Sequence, residues 1–381
     1  MIVAGGVYLE ICVSPESVSV LGSAGRAAMG LAGLTTQVQL HAFHPAAFAD
    51  DVFSNFAPLG IDVHLYPASD RIAFKYPFPL GRPRIMPIPL PYAGTVSVSG
   101  ESVLRFGCLE GDFKIDANRA VFDPQSAVRP EDFGANGSRA RRLAVVLNRA
   151  ELSAATGSVS VEDGVAIVMA RDGAEVVVVK CGPDGARVFA RDGLPATVPA
   201  FRTQAIYKIG SGDIFSAAFA HYWAEAGLTP SEAARLASLH TADYVETRLL
   251  PLRTPPNERP NVNHVARREV SVAFSIAGTS GEWLRDEVLS ALADLSLLPR
   301  VIEVDQVDRL SSHPETPASL LVIAQSAQPA LTSLFRAARV GGIPTFAYVE
   351  ALPTAATVAW EELGVEVVSD LTSALYRAAW G

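Results

Sequence analysis

The run Glu175-Val176-Val177-Val178-Val179-Lys180 constrains the fold most tightly. Four valines in succession leave no polar face, so the strand they form suits burial on both sides of a parallel sheet. Related runs precede it: residues 103–109, 119–124 and 143–148 are short, apolar and end in polar residues. Residues 151–157 begin a helix, 162–171 are mixed in character, and 186–191 with 196–201 read as a hairpin. Residues 210–227 and 231–248 read as two helices, the first introduced by a glycine turn and the second with Ser231 as N-cap. Strands alternating with helices in this way point to an α/β fold.

The flanking regions fit the same class. Residues 2–13 read as one buried strand, 23–34 as a small-residue helix opened by Gly22 and Ser23, and 35–43 alternate like a strand. Between residues 76 and 93 prolines recur too closely for a helix or a central strand, so an extended loop or edge segment is expected. Residues 251–268 are rich in Pro, Asn and Arg without periodicity and read as a linker. Strand and helix patterns then restart from residue 270 to the end, which predicts a second, small doubly wound domain. The expected division is 1–253, linker 254–268 and 269–381.

Composition narrows the function classes. At 381 residues, and about 150 per domain, two or three domains are expected. A hydrophobic fraction of 49% excludes global disorder. Net charge is −9, and lysine occurs only at positions 75, 114, 180 and 208, so no basic stripe invites a nucleic acid. No apolar run approaches the roughly 18 residues of a membrane span. The first residues lack a basic segment and a cleavage pattern, and Cys12, Cys108 and Cys181 are too few and too scattered for a disulfide framework or a zinc site. A cytoplasmic protein is expected.

The sharpest chemical signal is Gly210-Ser211-Gly212-Asp213 at the start of a helix. Glycines there let backbone N–H groups converge on an anion, and the helix dipole adds to the attraction. A carboxylate at the mouth of an anion hole repels phosphate. It makes sense as a base that takes a proton from a hydroxyl attacking a phosphoryl group. Read alone, the same residues also fit a glycine turn with Asp213 as a helix cap.

Upstream stand Asp123-Pro124-Gln125 at a strand end, Asn148-Arg149-Ala150-Glu151 at a strand-to-helix turn, and Lys180-Cys181-Gly182-Pro183-Asp184-Gly185 after the valine strand. In this order and spacing, over residues 1–250, the motifs resemble the ribokinase-like (PfkB-type) family of sugar and nucleoside kinases. The resemblance implies a three-layer α/β/α domain with a small β lid, followed here by the small Rossmann-like domain. It implies ATP and Mg²⁺ as cofactors and a sugar, sugar phosphate or nucleoside as acceptor. Asp213 is then the base, and Gly210, Ser211 and Gly212 the anion hole. Asn148 and Glu151 organise Mg²⁺. Lys180, Gly182, Gly185, Asn148 and Lys208 border the nucleotide, and Glu10, Gly22, Gly25 and Arg26 face the acceptor. A homodimer through the lid or the C-terminal domain is a further implication.

Two departures from the family pattern stand out. Tyr207-Lys208-Ile209 replaces the usual Asp-Thr-Thr before the glycine motif, adding a cation. Arg26 stands near the place of an Asn that often binds a sugar hydroxyl. With Arg71, Lys75, Arg82 and Arg84 around the proline-rich segment, it leads to the expectation of an anionic acceptor. The competing possibility is that Arg26 pairs with Glu10. A catalytically weak nucleotide or sugar sensor, acting through its C-terminal domain, is the alternative function. That domain resembles nucleoside 2-deoxyribosyltransferase-like domains in its Ala277-Gly278-Thr279 turn and its stretch 337–344. The helix position where that group carries a nucleophilic Glu falls near Leu334, and no Glu lies between Pro329 and Ile343. A nucleotide-binding, regulatory or oligomerisation role is expected instead.

Overall fold

The apolar pattern at the N-terminus is interrupted by Gly5-Gly6, and the computed structural model shows what the interruption does. The expected single strand over 2–13 is two: β1 (Ile2–Ala4) and β2 (Leu9–Cys12), which lie in different sheets. A Cβ on Gly5 would stand 2.8 Å from Phe106 Cβ, and one on Gly6 would run into the Tyr8 ring, so only glycines let the chain leave the first sheet here. The structure describes residues 1–126, 128, 130–262, 269–304, 317–326, 328–349 and 354–381. They group into two units. The larger holds Met1–Pro77, Arg82–Thr203 and Tyr207–Asn261; the smaller holds Phe78–Gly81, Gln204–Ile206 and Val262–Gly381.

In the larger unit the elements after β2 are β3 (Ser17–Val20), α1 (Gly22–Leu31), β4 (Gln39–His44), α2 (Ala49–Phe56), β5 (Asp62–Pro67), β6 (Ala73–Tyr76), β7 (Arg84–Met86), β8 (Thr95–Phe106), β9 (Asp112–Asp123) and β10 (Arg139–Asn148). Then come α3 (Arg149–Thr156), α4 (Val161–Asp172), β11 (Val176–Lys180), β12 (Ala186–Ala190), β13 (Ala196–Val198), α5 (Ser211–Ala220) and α6 (Pro230–Thr247). Among the described residues the main sheet has nine strands in the order β13-β12-β11-β10-β9-β8-β1-β4-β5. It is parallel from β11 to β5, and the expected hairpin β12–β13 closes one edge antiparallel. Val176 to Val179 are fully buried, as a two-sided strand requires. Helices α3 and α4 pack on one face through Leu152, Val165 and Val168; α5 packs between α1 and α6, and all three lie on the sheet, α6 over β12 and β13. A four-stranded lid has the order β3-β2-β6-β7, and the proline-rich segment supplies its edge strand β7.

Two local readings change. The mixed stretch 162–171 is helix α4, capped by Ser160. Helix α6 starts two residues earlier than expected. Thr229, not Ser231, is its N-cap, because Pro230 suits the first helical position and Thr229 exchanges a capping box with Glu232.

Residues 251–261 are seated on the larger unit. Leu252 N donates to Gly30 O at 3.2 Å, Arg259 reaches Asp243 at 2.9 Å, and Phe201 bridges Asn261. The rest of the expected linker, 263–268, lies outside the described residues.

The smaller unit contains β14 (Glu269–Ser275), α7 (Gly278–Asp294), β15 (Leu298–Ile302), β16 (Ser319–Ala324), α8 (Pro329–Val340), β17 (Thr345–Val349), α9 (Thr354–Glu361), β18 (Val365–Val368) and α10 (Leu371–Trp380). Its parallel sheet runs β15-β14-β16-β17-β18. Leu334 is fully buried in the core of this unit with Leu331 and Phe335. No helix among the described residues is long and apolar enough to cross a membrane, and the three cysteines are free thiols.

Candidate active site

Parallel strands bring their carboxyl ends to one edge of the sheet, where ligand crevices form in α/β folds. Asp123 ends β9, Asn148 ends β10, and the register sets Asn148 beside Lys180 at the end of β11. Asp123 is wholly buried. Its Oδ2 accepts from Lys180 Nζ and from Ser216 Oγ, each at 2.6 Å, and its Oδ1 has no partner among the described residues. Burial works against the Lys180 charge, but Asp123 and Glu151 outweigh it and raise the lysine pKa.

Asn148 and Glu151 form a capping box at the start of α3. Asn148 Oδ1 accepts from Glu151 N at 2.9 Å, and Glu151 Oε2 accepts from Asn148 N at 2.7 Å. Each therefore has a structural duty as a helix end. Glu151 is buried, which pushes its carboxyl pKa up, while Lys180 pulls it down. Arg149 pairs with Asp184 at 2.9 Å and so ties this helix end to the loop after β11. Gly182 and Gly185 shape that loop with φ of +59° and +83°.

The first turn of α5 carries the glycine motif. Gly210 takes φ 78°, ψ 2°, immediately before the helix. Ser211 N turns back to Lys208 O at 3.1 Å, and Ile214 N is bonded to Gly210 O at 3.0 Å. The N–H groups of Gly212 and Asp213 lie in the turn where a helix supplies no acceptor. Lys208 Nζ donates to Ser211 Oγ at 2.6 Å, and a Cβ on Gly212 would stand 3.5 Å from Lys180 Nζ. Two ammonium groups thus gather at a helix N-terminus. Burial and the Lys180 charge lower the Lys208 pKa to about 8, with Asp213 and Glu151 opposing. Backbone donors, helix dipole and two cations together favour a phosphate-like anion.

On the other side of the same turn stands Asp213, buried, with Arg26 at its carboxylate. Arg26 Nη1 donates to Asp213 Oδ2 at 2.8 Å and to Glu10 Oε1 at 3.2 Å, Nη2 donates to Glu10 Oε2, and Nε donates to Tyr244 OH at 2.9 Å. Asp213 Oδ1 accepts from Gln125 Nε2 at 3.2 Å. Burial raises the Asp213 pKa, and the Arg26 charge opposes the rise. The guanidinium is 2% exposed. It is thus engaged within the protein, as the pairing alternative has it, and offers no open fork to an anionic acceptor. Arg71 likewise pairs with Asp51 at 3.0 Å and lies over the Phe48 ring.

Glu10, Gly22, Arg26, Gly210 and Asp213 come together, since Gly22 O also accepts from Arg26 Nη1 at 3.3 Å. Gly25 belongs to the packing instead: its missing Cβ makes room for Phe56 Cζ at 2.8 Å. Lys180, Lys208, Ser211, Gly212 and Glu151 form the second group. Sequence reading did not find Tyr244, which lies on α6 among ordinary helix residues. It named Gln125 and Asp123 only as parts of a motif.

Residues 143–246 match the family model for pfkB family carbohydrate kinases. No curated protein matches the chain. Among solved structures, a pyrophosphate-dependent kinase in the ribokinase family, complexed with a pyrophosphate analog and myo-inositol, is similar with a TM-score of 0.50 and 17% identity, covering 66% of this chain and 98% of that one. A fructokinase from Vibrio cholerae O395, in a fructose, ADP and calcium ion bound form, has a TM-score of 0.49 and 15% identity, covering 65% and 93%. A ribokinase from Thermotoga maritima has a TM-score of 0.48 and 16% identity, covering 66% and 97%.

Proposed function

We propose that this ribokinase-like, PfkB-type protein is a kinase that transfers a phosphoryl group from ATP to a hydroxyl of a sugar, sugar phosphate or nucleoside. The observation that carries the reading is the first turn of α5. There Asp213 stands at the end of a glycine turn whose other side gathers Lys208 and Lys180. A base and an anion site on one helix turn are what in-line phosphoryl transfer to a hydroxyl needs.

In this reading Asp213 takes the acceptor proton. The first-turn N–H groups and the two lysines hold the transferred phosphoryl group and stabilise charge as it develops. The donor set fits a polyphosphate. It fits Mg²⁺ only through the ion's own waters, because the Asn148 and Glu151 side chains already bond each other's backbone N–H. Glu151 and Asn148 are the residues that would hold the hydrated ion, which when bound would neutralise polyphosphate charge.

A second reading has a specific observation behind it. Both oxygens of Asp213 are engaged, one of them by Arg26. A site so occupied suits a nucleotide or sugar sensor with weak turnover. One experiment separates the two. The full chain is incubated with ATP or pyrophosphate, with and without Mg²⁺, against a panel of neutral sugars, sugar phosphates and nucleosides. Product formation on one acceptor class supports the kinase. Calorimetric binding of ATP without product on any acceptor supports the sensor. The 1–261 chain should carry the activity by itself, leaving the C-terminal unit a regulatory or oligomerisation role; light scattering of the two chains tests a dimer through the lid or that unit. A cytoplasmic location belongs to the same proposal.

A further inference from the structure

One guanidinium joins two buried carboxylates at the base position. Arg26 on α1 bonds Glu10 on β2, Asp213 on α5 and Tyr244 on α6, and Tyr244 OH in turn donates to Ile209 O at 3.0 Å. Its side chain lies against Gly210, where a Cβ would collide with Nε, Cδ and Cζ. A side chain held from four directions is not free to swing to a ligand. The two acids it joins have different remaining partners. Glu10 Oε2 accepts from Ser19 Oγ at 3.2 Å. Asp213 Oδ1 accepts from the amide of Gln125, an exposed residue at φ 57°, a backbone region that side chains disfavour.

We propose that Arg26 is a positioning residue for Asp213: its guanidinium bridges Glu10 and Asp213 and commits Asp213 Oδ2, so that Oδ1 takes the acceptor proton. The proton-transfer half of this inference rests on the kinase reading; the charge-sharing half does not. The acceptor hydroxyl displaces the Gln125 amide from Oδ1. As its oxygen forms the new bond to the γ-phosphorus of ATP, the O–H proton passes to Oδ1, and the β,γ-bridging P–O bond breaks with its electrons leaving on ADP.

The other groups facing this cluster are Tyr76 on β6, Tyr207 before α5, Tyr244, and, on the Asp213 side, Asp123, Lys180 and Lys208. Burial raises the three phenols, so they stay neutral between pH 5 and 7.5, where Lys208 stays largely protonated. Without Arg26, two buried carboxylates face each other, and the folded pKa of Asp213 rises further above the unfolded carboxylate value of about 4. The stability lost at neutral pH then returns as pH falls toward that raised pKa.

The test uses the full chain with Arg26→Gln and Arg26→Lys, followed by thermal unfolding from pH 7.5 to 5 and by pH profiles of kcat and KM. In Arg26→Gln the melting deficit is expected to shrink by about half or more as pH falls. The kcat is expected to drop about tenfold or more with donor KM unchanged, and its acid limb to move up by about one pH unit. Arg26→Lys keeps the charge but not the bridge, and should recover part of both. If Arg26→Gln does not fold, Arg26→Lys carries the unfolding series with a smaller deficit of the same sign. A deficit constant across pH, or an unmoved acid limb, overturns the positioning role. If the parent chain turns over no acceptor, the kinase reading fails separately, and the unfolding series still decides whether Arg26 serves the two acids by charge.

Discussion

The two charge clusters flanking the first turn of α5 differ in what they leave over. On the Arg26 side two carboxylates share one guanidinium, and the guanidinium is bonded through all three of its nitrogens. On the lysine side Lys180 pairs with Asp123, and among the described residues Lys208 Nζ hydrogen-bonds only a hydroxyl. Burial, and then the charge of Lys180, lower the Lys208 pKa to about 8. A guanidinium closed on two carboxylates holds geometry; an ammonium that meets only a hydroxyl keeps its charge for an anion. Sharing one helix turn between them puts a base next to a phosphate site, with Arg26 offsetting part of the repulsion between carboxylate and phosphate.

The comparison breaks or sharpens at specific residues. The largest effect is expected from Asp213→Asn: turnover falls by roughly 10²–10⁴ while ATP binding by calorimetry is retained. A variant that keeps half of the parent rate would remove the base from the Arg26 cluster. Next comes Lys208→Met, which should raise donor KM about tenfold or more, the scale of a charged hydrogen bond, with acceptor KM nearly unchanged. The pH dependence carries a sign. A lysine with its pKa lowered to about 8 loses its proton as pH rises through that value, so donor affinity of the parent weakens from pH 7 to 9. In Lys208→Met that slope should vanish; an identical slope would move the anion site elsewhere.

Gly210→Ala probes the boundary of the two clusters. Its φ of 78° costs an alanine about 1–2 kcal/mol, and the added Cβ displaces Arg26, so the melting temperature should fall by a few degrees and kcat with it. Stability lost with kcat intact would separate Arg26 from Asp213. The smallest effect belongs to Gln125→Ala. Loss of this one part-buried hydrogen bond to the Asp213 carboxylate should lower acceptor KM by roughly two- to tenfold, since the acceptor no longer displaces the amide, and change the melting temperature little.

Much of the architecture was legible because it is local. The valine run 176–179 announces a strand buried on both faces, and it lies inside the main sheet. The strand and helix order of the smaller unit follows from alternation of apolar runs with amphipathic ones, and the buried Leu334 agrees with the missing Glu there. The glycine motif before α5 shows itself through spacing, because a positive φ and a following helix are properties of a few consecutive residues. Less was legible where the pattern had two outcomes. The apolar stretch 2–13 reads as one strand until Gly5-Gly6 is seen against Phe106 and the Tyr8 ring. The cap at Thr229 competes with Ser231 two residues on, and only the Glu232 partner decides.

What the sequence determined by itself is therefore the class of fold, the positions of its turns and the identity of the residue types available for chemistry. Hydrophobic periodicity and glycine placement act within one strand or one helix turn and need no distant partner. The tertiary structure alone decided which charges neutralise which. Arg26 and Asp213 stand 187 positions apart, and Arg26 and Tyr244 218 apart. Nothing in the spacing of Arg26 distinguishes an open fork for an anion from a guanidinium closed on Glu10 and Asp213. The choice depends on which elements the sheet and helices bring within about 3 Å of it, the distance at which a charged hydrogen bond forms.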